Sequence, residues 1–304
     1  MQSRNNKALV SLLFVSILWG CNYPVSAYLL KGFSPVILST VRICFTSLFL
    51  IVTALFQKGM RRPTASEWKF LLGVGIFGTL FNQTFYFTGL HHTTPANASL
   101  ILALAPIATI LLERVVFKIR LTAKKSIGAL ISLVGVFSII SLGSGGSFGI
   151  SLGDFNVLLA MLSLSVSLLF IRGLSKSMPS YTVTVYATVL GSVLMIPAAG
   201  VEWMVSGTIV SHHPYMWVML ICAGILAQGI AGFWWNKGVA EVGAGTASMF
   251  MNLQPFVAII ASHFVLGNAI MPAQIGGGVL VLLGVYIANL PAKPALAVEP
   301  NKSA

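Results

Sequence analysis

The chain has 304 residues, of which 57% are hydrophobic and 8% charged, with a formal net charge of +12. A soluble domain carries roughly 25% charged residues, so this composition excludes an ordinary globular protein and leaves a chain that crosses a bilayer several times. The positive balance would suit nucleic acid or an anionic lipid surface, and the positions of the basic residues decide between the two.

Apolar segments of about 20 residues can span a bilayer. The sequence predicts ten of them, at residues 8–28, 35–57, 68–90, 95–117, 125–142, 153–173, 180–199, 214–236, 243–266 and 272–290, which makes an all-α integral membrane protein with no soluble domain. The first follows Arg4 and Lys7 as a signal peptide would, but it is too long and lacks a small-residue cleavage site, so it reads as a retained helix. Trp19, Asn22, Tyr23 and Ser26 recur there at i, i+3, i+4 and i+7, placing four hydrogen-bonding groups on one stripe. Such a stripe faces either a helix contact or a cavity, and the cavity wall is the favoured reading.

In the second span, Arg42 lies about seven residues, roughly 11 Å of helix, past its start. A cation at that depth must face protein or water. Two roles stay open for it: binding a substrate carboxylate or phosphate, or holding the bundle together through backbone carbonyls and helix ends. Thr79, Asn82 and Tyr86 share one side of the third span, Ser163 and Ser167 one face of the sixth, and Gln228 and Trp235 stand in the eighth. The aromatic residues suit stacking surfaces or gates for an organic solute, or equally core packing and, for Trp234 and Trp235, the interfacial belt. Pro106 and Pro255 lie halfway along the fourth and ninth spans and read as helix kinks that free a backbone carbonyl, with Asn252 and Gln254 beside the second.

Counting from a cytoplasmic start, only Lys31 of the 18 basic residues falls in an outer break and only Arg42 lies deep within a span, the rest standing in inner breaks or at cytoplasmic span ends. That asymmetry is the positive-inside rule, with both termini cytoplasmic; the basic balance then reports topology and lipid headgroups rather than nucleic acid. Glu67, Asp154, Glu202, Glu241 and Glu299 fall in breaks or at span ends, and Glu113 lies near the end of the fourth span. With no carboxylate at mid-membrane, a facilitator or exchanger is favoured over a carboxylate-based proton antiporter. His91, His92, His212, His213 and His263 all fall on the outer side and read as solvated loop residues rather than a metal or pH-sensing site. Cys21, Cys44 and Cys222 lack metal or disulfide spacing. No Ser-His pair or HExxH stands at membrane depth, so no enzyme, cofactor or metal is expected.

The stretch from Trp68 to Phe137 recurs without a gap 149 positions on: Trp68 falls on Trp217, Gly75 on Gly224, Gly89 on Gly238, Pro106 on Pro255, Gly128 on Gly277 and Gly135 on Gly284. The first and sixth spans correspond at an offset of 141, as Val25-Ser26 on Val166-Ser167 and Gly32 on Gly173. Thr79 and Tyr86 thereby fall on Gln228 and Trp235. Copies separated by five crossings, an odd number, are inverted in the membrane, as in many secondary transporters. The halves are set at residues 1–147 and 148–304, with 143–149 (GSGGSFG) as a hinge and 291–304 as a disordered cytoplasmic tail.

Leu18-Trp19-Gly20 with Asn22, Arg42, Gly89-Leu90, Thr94, Ala98, Pro106, Gly128 and Gly135-Val136, repeated as Gly238, Ala247-Ser248, Pro255, Gly277 and Gly284-Val285, resemble the EamA-type drug/metabolite transporters. The resemblance covers most of the chain. It implies two inverted five-helix repeats in a bacterial cytoplasmic membrane, and efflux of small organic metabolites, amino acids commonest, by alternating access. It also implies a cavity framed mainly by spans 1, 3, 4, 6, 8 and 9, with 5 and 10 peripheral. Ile119 and Asn268 stand where that family often has a Leu-Gly-Glu-type acid, so no role passes to those positions. The expected partners are a zwitterionic or aromatic solute and membrane lipid, with the chain a monomer or homodimer.

Overall fold

The structure is a computed structural model that describes residues 2–56, 60–118, 123–142, 151–174, 177–232, 234–235, 250–251 and 253–289. Every named element is helical: α1 (Gln2–Leu29), α2 (Pro35–Leu55), α3 (Ala65–Gly73), α4 (Asn82–His91), α5 (Pro95–Leu102), α6 (Ala105–Phe117), α7 (Ala123–Leu142), α8 (Leu152–Leu174), α9 (Ser180–Ser206), α10 (Pro214–Gly224), α11 (Gln254–Leu266) and α12 (Pro272–Asn289). Two π-helical stretches, Val74–Phe81 and Ile225–Ile230, continue α3 into α4 and extend α10. Six helices of 21 to 27 residues are long and apolar enough to cross a bilayer, and Ser126–Gly135, Pro214–Ile230, Gln254–Leu266 and Pro272–Ile287 are shorter apolar helices. With large apolar side chains such as Leu130, Phe137, Ile196 and Trp203 facing outward, this is a multi-pass membrane protein whose belt is solvated by lipid rather than water. The hinge at 143–149 and the tail from 291 lie outside the described residues.

Helix starts follow the local chemistry. Proline opens α2, α5, α10 and α12, where its missing N–H has no partner to lose. Thr64 and Glu67 close a capping box on α3, satisfying two orphan donors reciprocally. Glu202, expected in a break, instead sits in the last turns of α9, beyond the predicted end of that span. Its two carboxylate oxygens accept from the Val36 and Ile37 amides, at 3.1 and 2.8 Å. An anion at the N-terminus of α2 meets both its free donors and its dipole, which is why the helix runs on.

The prolines read as kinks lie at helix starts within the spans drawn for them. Pro106 and Pro255 stand in the first turn of α6 and α11, behind breaks at Leu104 and Leu253. The two turns are 149 positions apart; the fourth span is split into the half-helices α5 and α6, and at both places proline takes a position it tolerates rather than one within a continuous ladder.

The most extensive helix pair is α7 with α12. A Cβ built on Gly135 would stand 2.7 Å from the Gly277 carbonyl oxygen, while Gly284 abuts the carbonyl of Gly128. Ser132 Oγ donates to the Val281 carbonyl at 3.0 Å, across an offset of 149. Because 135 meets 277 and 128 meets 284, the two helices run antiparallel, with equivalent positions in reciprocal contact. The main core lies between α1, α2, α4, α5, α8 and α11, around Leu38, Phe87, Leu100, Ile101, Val157 and Ala160.

Candidate functional site

Arg42 is the centre from which the site is built. It projects from α2 and is 2% exposed, with Nη1 donating to Ser26 Oγ and Nη2 to Asn22 Oδ1, both at 2.9 Å. Its guanidinium lies 5.7 Å from the Phe87 ring centroid, a cation–π distance. Side chains of α1 and an aromatic face hold it, not the carbonyls or helix ends of the structural alternative. Nε has no partner.

Around Arg42 opens a cavity of about 450 Å³ lined by Trp19, Asn22, Tyr23, Thr79, Asn82, Tyr86, Gln228 and Gln254, all singled out from the sequence. Tyr23 and Tyr86 meet edge to face with centroids 6.2 Å apart. Asn82 Nδ2 donates to the Ala160 carbonyl at 2.8 Å, pinning α4 to α8. The Trp19 indole donates to the Ala227 carbonyl at 2.5 Å, tying α1 to the second π stretch. Thr79 belongs to the first π stretch and sits directly against Gly191 of α9. Widened turns of this kind are frequent at functional sites, and both border this cavity. Gln254, the first residue of α11, leaves its Nε2 buried and unpartnered.

The other expected residues separate from this group. Ser26 lies beneath Arg42 rather than in the wall. Ser167 and Trp235 line a second cavity of about 440 Å³, which shares Gly78, Thr79, Leu164, Thr184 and Thr188 with the first and runs to the exposed Ser180. The Trp19 and Trp235 rings, 5.3 Å apart, mark the passage between them. Ser163 is buried but lines neither space. Asn252 lies outside the described residues. Thr46, Gln83, Phe87, Thr184 and Thr188 were not singled out, yet all line the main cavity. Thr46 is one turn beyond Arg42 and Thr188 one turn beyond Thr184, so the stripe test applied to the second and seventh spans would have found them. These two helices, α2 and α9, contribute more wall than the expected framing allowed, whereas α7 and α12 contribute none.

The ends of the bundle differ. At the end where α1 and α4 finish, Phe33 and Val210 form an antiparallel bridge, Ser34 and Ile209 exchange hydrogen bonds of 2.9 and 2.8 Å, and Phe33 packs edge-on against Trp217. At the other end Arg61 pairs with Glu67 at 2.5 Å and donates to the Ser177 carbonyl at 2.9 Å, while Arg172 pairs with Glu113. That contact with Glu67 holds the Arg61 guanidinium above its usual pKa. Asp154, in the first turn of α8, accepts from Thr93 and Ser151 at 2.5 and 2.8 Å. All four acids among the described residues thus serve a helix terminus or an arginine, and none lines the main cavity.

A model of the EamA-like transporter family matches residues 6–141 and again residues 151–290. The chain belongs to the EamA-like transporter family. Among its relatives is YyaM, an uncharacterized transporter of Bacillus subtilis (strain 168), 30% identical over 92% of this chain and 92% of that protein. A probable terminal-alkyne amino-acid exporter of Streptantibioticus cattleyicolor is 25% identical over 93% of this chain and 94% of its own. A solved crystal structure with 20% identity superposes with a TM-score of 0.65, covering 93% of this EamA-like chain and 96% of the other, which establishes the shared fold.

Proposed function

We propose that this EamA-like transporter is a secondary exporter of small organic metabolites such as amino acids, working by alternating access across the bacterial cytoplasmic membrane. The observation that carries the reading is the cavity around Arg42: a concave space of about 450 Å³ inside the bundle, with polar groups converging on one side and aromatic rings on another, the form expected of a small-molecule site. The probable amino-acid exporter among its relatives points the same way.

Several features support two inverted five-helix repeats, residues 1–147 and 148–304. The family model matches twice. The π stretches and the helix starts at Ala105 and Gln254 recur near an offset of 149, and α7 meets its counterpart α12 antiparallel and reciprocally. Reciprocal contact between equivalent positions is the mark of a two-fold relation; because the helices also run antiparallel, the axis lies across them, in the membrane plane. Both termini are then cytoplasmic, as the basic residues suggest. The bridged end at Phe33 and Val210 faces outside, and the second cavity leads from Arg42 toward the cytoplasm, an inward-facing state.

The competing reading is a proton-coupled antiporter. It has less support, because among the described residues no Asp, Glu or His lines the cavity, and a proton relay needs such a group. Reconstituted vesicles loaded with unlabelled metabolites test the reading: a carrier accelerates uptake of labelled solute by counterflow. Vesicles containing the protein that never exceed protein-free ones, across a metabolite panel, refute it.

A further inference from the structure

Arg42 enters the cavity as a positive charge with no negative partner. Its two hydrogen bonds end on neutral oxygens of Ser26 and Asn22, and among the described residues no carboxylate lines the space. Two buried donors there, Arg42 Nε and Gln254 Nε2, have nothing to donate to. Buried polar groups are nearly always paired, so donors left over in a ligand-sized cavity indicate an acceptor that arrives with the ligand. The acceptors of the wall are neutral: Asn22 Oδ1 already takes Arg42, and the amide oxygens of Gln83, Gln228 and Gln254 and the phenols of Tyr23 and Tyr86 carry no charge. Phe87, the aromatic face nearest the charge, is already covered by the guanidinium. An α-ammonium group would therefore enter a cavity that offers it no counter-charge and has a fixed like charge within it.

Resting on the carrier reading but replacing its amino-acid example, we propose that the transported solute is a net organic anion, a monocarboxylate with an aromatic or apolar body and no ammonium group. Its carboxylate accepts from Arg42 and Gln254, and its body lies against Tyr23 and Tyr86. A guanidinium fork matches a carboxylate in geometry and charge, and the pair brings the cavity to neutrality. The solute thereby compensates Arg42, so the loaded carrier reorients more readily than the empty one, and exchange outpaces net efflux.

Purified full-length protein in detergent is titrated with phenylacetate, phenylacetamide and L-phenylalanine, three probes that share a ring and differ in charge, with quenching of tryptophan fluorescence as the readout. Phenylacetate is expected to bind at least about tenfold more tightly than either of the others, the gain of one charge-assisted contact. R42Q should abolish the preference for acid over amide. Q254L, which keeps the cation, should weaken phenylacetate and still leave it bound more tightly than phenylacetamide. Equal binding of acid and amide to the wild type, tighter binding of phenylalanine than of phenylacetate, or silence toward all three overturns the proposal, whether or not R42Q folds. Counterflow separates this from the broader reading. Transport of zwitterions or neutral solutes without a preference for anions sinks only the anion assignment, whereas a phenylacetate preference without counterflow of any solute sinks the carrier and leaves the binding site.

Discussion

Gly135→Ala puts the antiparallel α7–α12 contact to a quantitative test. The added methyl would stand 2.7 Å from the Gly277 carbonyl oxygen, 2.8 Å from the Val281 amide nitrogen and 2.9 Å from Leu280 Cβ. Two of these neighbours are backbone, so no side chain can rotate away and the helices must part by several tenths of an ångström. Overpacking a closed contact costs about 1–3 kcal/mol, and stretching the Ser132–Val281 hydrogen bond forfeits up to about 1 kcal/mol more. Replacing glycine inside a helix returns about 1 kcal/mol. The net expectation is a destabilisation of up to about 3 kcal/mol, read as a lower midpoint when the detergent-solubilised protein is heated and its remaining monodisperse fraction is followed by size-exclusion chromatography. Gly284→Ala, the equivalent position in the reciprocal contact, should fall in the same direction. Gly276→Ala is the internal control: it lies on the same α12, and a methyl added there would meet nothing within 4 Å, so it should be neutral or stabilising by up to about 1 kcal/mol. If Gly135→Ala and Gly276→Ala melt alike, the close crossing does not exist and the support it lends to inverted repeats is withdrawn.

Glu202→Gln removes the anion that caps α2 and should destabilise by about 0.3–1 kcal/mol, with the difference shrinking in high salt in the same melting assay. Thr64→Ala breaks the capping box on α3 and should cost about 0.5–2 kcal/mol; transport by surviving protein should be normal, because Thr64 lies outside the cavity wall. Trp19→Phe keeps the ring against Trp235 but loses the bond to the Ala227 carbonyl, which should lower stability by about 0.5–1.5 kcal/mol and slow counterflow by loosening α1 from the second π stretch. Thr188→Trp places an indole where the two cavities join and should abolish counterflow while the protein still expresses and remains monodisperse.

Much of the site was readable from helix periodicity alone. The stripe Trp19, Asn22 and Tyr23 lines the cavity because positions three and four apart share a face whatever the tertiary packing. Arg42 was legible because a charge in hydrocarbon has so few places to go. Ser163 and Trp235 show where that logic stops: a face is known from spacing, but which neighbour covers it depends on crossing geometry that one span does not encode. The π stretches were invisible, since a shift from i−4 to i−5 pairing leaves the apolar pattern nearly intact. The helix ends at Glu202 and Pro106 were not drawn from the sequence for a related reason. Both mark helix ends by local rules, yet Glu202 is held by α2, far away in sequence, and Pro106 opens a half-helix that a hydropathy window averages into one span.

The clasp between Phe33–Ser34 and Ile209–Val210 joins one main-chain bond, one amide-to-hydroxyl bond and the buried Phe33 ring against Trp217. The two polar bonds can be traded for water at little net loss, so the threshold for unfastening the clasp is set by exposing one apolar ring, about 1.5–3 kcal/mol. On the proposed carrier reading, a seal this small can open by thermal motion, and the gradient of the solute itself would be sufficient drive.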